Sequence, residues 1–255
     1  MTDWANQFRF KRLRVTSGKP RGPLDQLVCA VGDIHGQLNC LERLVGRIEG
    51  KIHRSGSSQE QIVFLGDYVD RGLEVRKVLD FLIELQARRN CVFLRGNHEQ
   101  ILLDFLSNPD AGEEWIRFGG LETLAAYGVG FNLLRGTDID WLRVHDQFCS
   151  SFPEKHREFL ESTILCYSAG DFFFAHAGID PARSFSDQSA HDLLCVRGKF
   201  LNNKDLREKI VIHGHSHVTK PEIRRNRIGI DTGAYATNVL SAVLIWNQNI
   251  SFIES

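Results

Sequence analysis

Asp33 and His35 stand two residues apart, between Gly32 and Gly36. On an extended turn, residues i and i+2 face the same side, so this carboxylate and imidazole can bind one metal together. Alone the spacing is weak, because a strand-end acid beside a surface histidine reads the same way. Four further phrases put metal-binding or proton-carrying side chains beside glycine. They are Gly66-Asp67-Tyr68-Val69-Asp70-Arg71-Gly72, Gly96-Asn97-His98-Glu99, His176-Ala177-Gly178 and Gly214-His215-Ser216-His217. Each has a bland reading by itself, as a turn, a core histidine or a surface triplet. Their joint occurrence overturns those readings and points to a two-metal phosphoesterase.

Asp67 is the natural bridge, since a carboxylate has two oxygens and can touch both metals. Asn97 offers a carbonyl oxygen, and His176 and His215 offer imidazole nitrogens. The expected allotment gives one metal Asp33, His35 and Asp67, and the other Asp67, Asn97, His176 and His215. Two divalent ions roughly 3.5–4 Å apart clamp an in-line displacement and make hydroxide available near neutral pH. The mixed nitrogen and oxygen donors suit manganese first, with iron or zinc as the other candidates, over magnesium or calcium. Arg71 is expected to bind the substrate phosphate, because guanidinium matches phosphate oxygens in a bidentate way. Asn97 is expected to share that contact. His98 follows a metal ligand directly. It is the candidate general acid for the leaving oxygen, with Asp70 orienting its imidazolium.

These groups need a scaffold. Apolar runs at 27–31, 61–65 and 91–95 end at Gly32-Asp33, Gly66-Asp67 and Gly96-Asn97. Between them Leu38, Leu41, Leu44, Val45 and Ile48 share one helix face, as do Val75, Val78, Leu79, Leu82 and Ile83. A third helix is expected from near Glu99 through Leu106. This alternation predicts parallel strands, with the binding crevice beyond their carboxyl ends. Residues 53–60 read as a surface loop and 108–162 as a helical elaboration, with Trp115, Leu124 and Phe148 among its core. Short strands are expected at 163–167, 172–175, 210–212, 228–230, 240–246 and 250–253, forming a second mixed sheet packed on the first. The fold class is therefore α/β, in one domain over 24–255, behind a basic arm at 1–23. That arm carries Arg9, Lys11, Arg12, Arg14, Lys19 and Arg21 against one acid, Asp3. It reads as a loosely docked segment, or more sharply as an anionic docking segment.

The 255 residues carry a net charge of −1, so average charge gives no footprint for nucleic acid or membrane. No apolar run approaches the roughly 20 residues needed to span a bilayer. No signal-peptide core follows Met1, and the six cysteines form no C-x-x-C pair. They read as reduced thiols in a cytoplasmic protein.

The phrases Gly66–Gly72 and Gly96–Glu99 resemble the calcineurin-like metallophosphoesterase superfamily, and within it the phosphoprotein phosphatase family. Trp115-Ile116, Gly119-Gly120-Leu121-Glu122-Thr123-Leu124 and Tyr127-Gly128 are similar to compact bacterial and phage-type serine/threonine protein phosphatases. The resemblance covers about residues 27–246. It implies a central β-sandwich of two mixed sheets flanked by helices, a dinuclear site at the strand ends, and the ligand and acid roles given above. It also implies that Arg197 is a second phosphate-binding arginine. Gly214-His215-Ser216-His217 departs toward the wider superfamily's G-H-x-H, which leaves His217 unassigned; His213 is expected to be no ligand.

The leading expectation is a phosphomonoesterase acting on phosphoserine and phosphothreonine in proteins, so its partner is a phosphoprotein or a small phosphorylated substrate. Its rival is a symmetrical diadenosine tetraphosphate hydrolase, a class usually longer after the core motifs. A catalytically dead binding module and a nucleic-acid phosphodiesterase are the readings from other classes.

Overall fold

The computed structural model describes residues 13–130 and 139–255. Strand β1 (Gln26–Val31), helix α1 (Leu38–Ser55), strand β2 (Gln59–Phe64), helix α2 (Val75–Arg88), strand β3 (Cys91–Phe93) and helix α3 (Asn97–Ser107) follow in the expected alternation. β1, β2 and β3 pair in parallel. α1 buries Leu41, Leu44, Val45 and Ile48, and runs on to Ser55, where Gly56 closes it at φ +67. With His53 and Arg54 favouring its carboxyl end, the expected 53–60 loop shrinks to three residues between α1 and β2.

Next come helices α4 (Gly112–Arg117), α5 (Gly120–Ala126), α6 (Trp141–Ser151) and α7 (Glu154–Glu161). Residues 131–138 of the expected elaboration lie outside the described residues. Trp115, Leu124, Phe148 and Phe159 share one core with the helix-facing side chains of the first sheet. Strands β4 (Cys166–Ala169) and β5 (Phe172–Ala175), helices α8 (Ala190–Cys195) and α9 (Gly198–Leu201), and strands β6 (Ile210–His213), β7 (Glu222–Ile223) and β8 (Arg227–Gly229) follow. Their sheet has the order β4-β5-β6-β8-β7 and is mixed.

The chain ends with helix α10 (Ala234–Thr237) and strands β9 (Ser241–Trp246) and β10 (Asn249–Glu254). These last two strands were expected in the second sheet and stand in the first, ordered β10-β9-β1-β2-β3. The burial of β9 explains the placement. Ala242 and Leu244 enter the helix-side core, while Val243 and Ile245 enter the core between the sheets. A strand buried on both faces belongs inside a sheet. β1 alternates in the same way, Cys29 and Val31 to the helices, Val28 and Ala30 to the opposite sheet. There they meet Phe172, Phe174, Ile210, Ile212 and Ile228. Each such side chain contributes about 1.5–3 kcal/mol when fully buried.

Arg9, Lys11 and Arg12 of the expected arm lie outside the described residues. Beyond them, Leu13 and Val15 are buried, and the Arg14 and Thr16 backbone N–H groups donate to Arg225 and Arg207. Among the described residues no helix is long and apolar enough to cross a membrane.

Candidate metal centre

Each sheet sends three parallel strands toward the same place. Asp33, Asp67 and Asn97 follow β1, β2 and β3. His176, His215 and Asp231 follow β5, β6 and β8. The crevice anticipated at the strand ends is therefore built from both sheets.

His176 Nδ1 donates to the Leu65 carbonyl at 2.9 Å, which leaves its Nε2 as a lone pair. That nitrogen lies 3.0 Å from Asn97 Oδ1, 3.2 Å from His215 Nδ1 and 3.4 Å from Asp67 Oδ1. His35 Nδ1 likewise donates to the Val69 carbonyl at 2.8 Å, and its Nε2 lies 3.4 Å from Asp67 Oδ2. Two groups result, His35 with Asp67 and His98, and Asp67 with His176 and His215. In each, one atom per residue lies within 4.8 Å of the others. Asp67 belongs to both and presents a different oxygen to each. Asp33 Oδ2 accepts the His215 N–H at 2.9 Å, while its Oδ1 is buried without a partner. The carboxylate presses on Gly214, where a Cβ would lie 2.0 Å from Oδ1.

Burial pushes His35 and His215 down to about 3 and lowers His176, so these rings are neutral near pH 7. Burial also raises Asp33 well above the carboxylate range, and Asp231 and Asp67 add to it by charge. For Asp67 burial acts upward, but the imidazoles of His176, His98, His35 and His215 outweigh it and hold it down. Converging lone pairs, neutral imidazoles and an orphaned carboxylate oxygen fit cations.

The proton-carrying side is equally specific. His98 Nδ1 donates to Asp70 Oδ2 at 2.7 Å. Asp70 is fully buried and also accepts from Trp115 Nε1 at 3.0 and 3.1 Å and from Thr123 Oγ1 at 2.6 Å. Trp115 was expected only as core; its indole also links the helical elaboration to this carboxylate. Burial alone would lower the His98 pKa, but Asp67 and the Asp70 hydrogen bond raise it above the ordinary 6.5. Arg71 Nη2 stands 3.2 Å from His98 Nε2.

Backbone strain concentrates here. His35, Asp67, Asp70, Arg71 and His215 all have φ between +46 and +68. Such conformations cost non-glycine residues about 1–3 kcal/mol each unless the surroundings enforce them. Thr123 Oγ1 accepts the Asp70 N–H, and the Gly119 carbonyl accepts that of Arg71. Glu99 does more. Its Oε2 accepts from the Asp67 and Gly96 N–H groups at 2.7 and 2.8 Å, and its Oε1 from those of Tyr68 and Val69 at 2.7 and 3.3 Å.

Sequence reasoning had Glu99 only as a helix start, and a carboxylate just inside a helix is too common to reveal this role. Asp231 was missed as well. Its signal was present, since Ile228–Ile230 is a further apolar run ending in an acid and then Gly233. Arg197 is exposed, and its charge helps depress His215 after burial and His176. His217 is exposed, with its ring against Gly233. His213 is buried, and its Nδ1 donates to the Gly214 carbonyl.

Two outcomes follow for stability. Glu99→Gln turns an NH2 group toward backbone N–H donors and should destabilise the protein by about 3 kcal/mol. Calorimetry checks this; an unchanged Tm would mean that Glu99 is not the strut. Metal-stripped protein should gain about 2.7 kcal/mol at 100 times the Kd for manganese, roughly 5–10 °C in Tm. A wild-type Tm indifferent to manganese would contradict the fit.

The sequence matches the family described as "Calcineurin-like phosphoesterase" over residues 27–219. The chain is 26% identical to the Oceanobacillus iheyensis protein named "Bis(5'-nucleosyl)-tetraphosphatase PrpE [asymmetrical]", over 83% of this chain and 86% of that one. Its fold resembles the "Crystal structure of a putative diadenosine tetraphosphatase", with TM-score 0.61, 19% identity, and coverage of 92% of this chain and 98% of that one. A serine/threonine phosphatase from Saccharomyces cerevisiae matches with TM-score 0.54 and 18% identity, over 90% of this chain and 79% of that one. These two likenesses show the fold, two mixed sheets flanked by helices. With the family match spanning three-quarters of its residues, the chain belongs to the calcineurin-like phosphoesterases.

Proposed function

We propose that this phosphoester hydrolase removes phosphate from phosphoserine and phosphothreonine in proteins. The observation that carries the reading is the convergence of Asp70, His98 and Arg71 beside Asp67. A buried carboxylate holds an imidazole, and that imidazole meets a guanidinium suited to a phosphate dianion. Asp33, His35 and Asp67 would hold one divalent ion, and Asp67, Asn97, His176 and His215 the second, with manganese expected first. Bound there, such ions would supply positive charge to the phosphate oxygens and lower the pKa of water.

The chain's own groups set the rest. Arg71 and Asn97 bind the phosphate, with Arg197 joining them from the turn between α8 and α9. In this structure Arg71 Nη2 stands 3.2 Å from His98 Nε2, a contact that is a hydrogen bond only while that nitrogen carries no proton. The Arg71 charge works against the protonated form of His98, so turning Arg71 to the phosphate favours the acid. Substrate binding and arming of the acid are thus one movement. His98 then protonates the leaving oxygen, and Asp70 stabilises the imidazolium.

A second reading, hydrolysis of diadenosine tetraphosphate, is favoured by the Oceanobacillus relative's name. That name specifies asymmetrical cleavage rather than the symmetrical cleavage of the sequence-based rival. This relative matches over 86% of its own length, so extra length does not separate the two activities here.

Metal-stripped protein resupplied with manganese should turn over a phosphothreonine peptide faster than diadenosine tetraphosphate. The reverse order would move the assignment to nucleotides. His98→Asn should keep metal and lose roughly 100-fold or more on unactivated esters, with less loss on activated ones. Equal losses would remove the leaving-group acid. A raised His98 pKa keeps the acid form present above pH 6.5, and activity falls as pH rises through the folded value. Asp70→Asn should move that basic limb to lower pH; an unmoved limb would assign it to another group.

A further inference from the structure

Trp115, Gly119, Gly120 and Thr123 form a spaced phrase that lies on α4, α5 and the turn between them, outside both sheets. All four converge on Asp70 and Arg71. Thr123 is fully buried and uses its hydroxyl in both directions. Its Oγ1 donates to Asp70 Oδ1 at 2.6 Å and accepts the Asp70 backbone N–H at 3.0 Å. Trp115 Nε1 donates to both Asp70 oxygens, at 3.0 and 3.1 Å. The Gly119 carbonyl accepts the Arg71 N–H at 3.0 Å, and a Cβ at Gly119 would lie 2.9 Å from Arg71 Cγ. A Cβ at Gly120 would lie 2.6 Å from the Trp115 indole. The two glycines therefore let the arginine and the indole approach as closely as they do.

Asp70 needs such a holder. Its φ of +68 and the +63 of Arg71 are left-handed, a conformation that a free turn of these residues would leave. A carboxylate that meets one imidazole alone can swing about its Cβ–Cγ bond, because that torsion has no sharp minimum. Here Oδ2 faces His98 Nδ1 at 2.7 Å while Thr123 ties the other oxygen. With the indole hydrogen shared between the two oxygens, the plane of the carboxylate is set and Oδ2 stays on the His98 nitrogen. A carboxylate held in this way keeps its imidazole in the tautomer and orientation that let the far nitrogen pass a proton.

We propose that Thr123 and Trp115 are positioning residues for proton delivery, acting on His98 through Asp70. This rests on the leaving-group acid of the phosphomonoesterase reading above. The Thr123 hydroxyl is the critical group, because it meets Asp70 by side chain and backbone at once. Serine keeps both bonds. Valine, of nearly the same shape, keeps neither and leaves a buried N–H and a carboxylate oxygen each short of a partner. A residue that works through Asp70 matters only where His98 must deliver a proton. Esters of poor leaving groups feel its loss, and esters whose leaving group departs as a stable anion do not. Once His98 is gone, its loss costs nothing further. The Arg71 backbone is held by Gly119 rather than by Thr123, so the effect falls on kcat and not on KM.

The test compares a phosphothreonine peptide with p-nitrophenyl phosphate, whose leaving group needs little protonation. The proteins are manganese-loaded wild type, Thr123→Val, Thr123→Ser, Trp115→Phe and His98→Asn, with the double variants that add His98→Asn to Thr123→Val and to Trp115→Phe. Thr123→Val should lose about tenfold or more in kcat on the peptide, with KM within about twofold, and less than about threefold on the activated ester. Thr123→Ser should restore the wild-type pattern, and Trp115→Phe should show the valine pattern at smaller size. In the His98→Asn background either change should cost less than about twofold more on the peptide. A manganese-dependent rise in Tm shows that each variant is folded, and Trp115→Phe with its double decides the matter if Thr123→Val is not. Equal losses on the two esters, a loss carried by KM, or a full additional loss without His98 overturns the positioning role and leaves the phosphomonoesterase reading standing. Equal losses by His98→Asn itself on the two esters, or a wild type that cleaves neither, overturns the acid and the positioning role together.

Discussion

The site depends on the Glu99 carboxylate. It faces four backbone N–H groups across two loops that share nothing in sequence, Asp67–Val69 after β2 and Gly96 before α3. Those loops lead into the carboxylate expected to bridge, the arginine expected to bind phosphate and the candidate acid. Asp67, Asp70 and Arg71 hold left-handed conformations that an isolated chain would leave. Four hydrogen bonds to one carboxyl group, at about 0.5–3 kcal/mol each, are of the size needed to hold three residues strained by about 1–3 kcal/mol each. Gly96 is part of the same device, because any Cβ there would fall 2.1 Å from Asp67 Oδ1. The strut and the Asp67 carboxylate meet at a residue with no room for a side chain.

Holding those loops together gathers like charges. Asp33, Asp67 and Asp231 are buried near one another, and the shifts of Asp33 and Asp231 record their mutual repulsion alongside burial. Buried carboxylates persist when paired, hydrogen-bonded or bound to a cation. Asp67 has its imidazoles and Asp231 has the Gly233 N–H, whereas Asp33 keeps one oxygen with no partner. A cation bound there would relieve the repulsion that the fold creates and so couple its binding to folding.

Much of this was legible because the chemistry is local in sequence. Asp33 with His35, and Asp70 with Arg71, lie a few residues apart, directly after apolar runs that predict where the strands end. What was illegible is long-range. The pairing of Ser241–Trp246 with β1 depends on which edge of the first sheet is open, and no local pattern encodes an edge. The indole of Trp115 reaches Asp70 across 45 residues, and Thr123 reaches it across 53. Apolar periodicity marks a tryptophan as core and gives no hint that its single donor is committed to a carboxylate. The half-exposure of Tyr235 and Phe118 beside His35 and His98 gave no signal at all, since a lone aromatic in a helical stretch reads as packing.

The same contrast separates reaction from substrate. Asp33, His35, Asp67, Asp70, His98 and His176 are all at most 2% exposed. Groups buried that deeply are fixed by packing and hydrogen bonds, and their types dictate a chemistry that many phosphoesters could undergo. On the proposed function, discrimination among those esters would fall to exposed side chains around the crevice, Tyr235, Phe118 and Arg197 among them. The rim is tied to the interior through Arg71, which touches Tyr235 by its guanidinium and His98 by one nitrogen. A ligand that draws Arg71 toward its phosphate must alter both contacts at once. On the proposed function, phosphate binding and proton delivery at His98 would be coupled through one side chain that spans the boundary between exposed and buried.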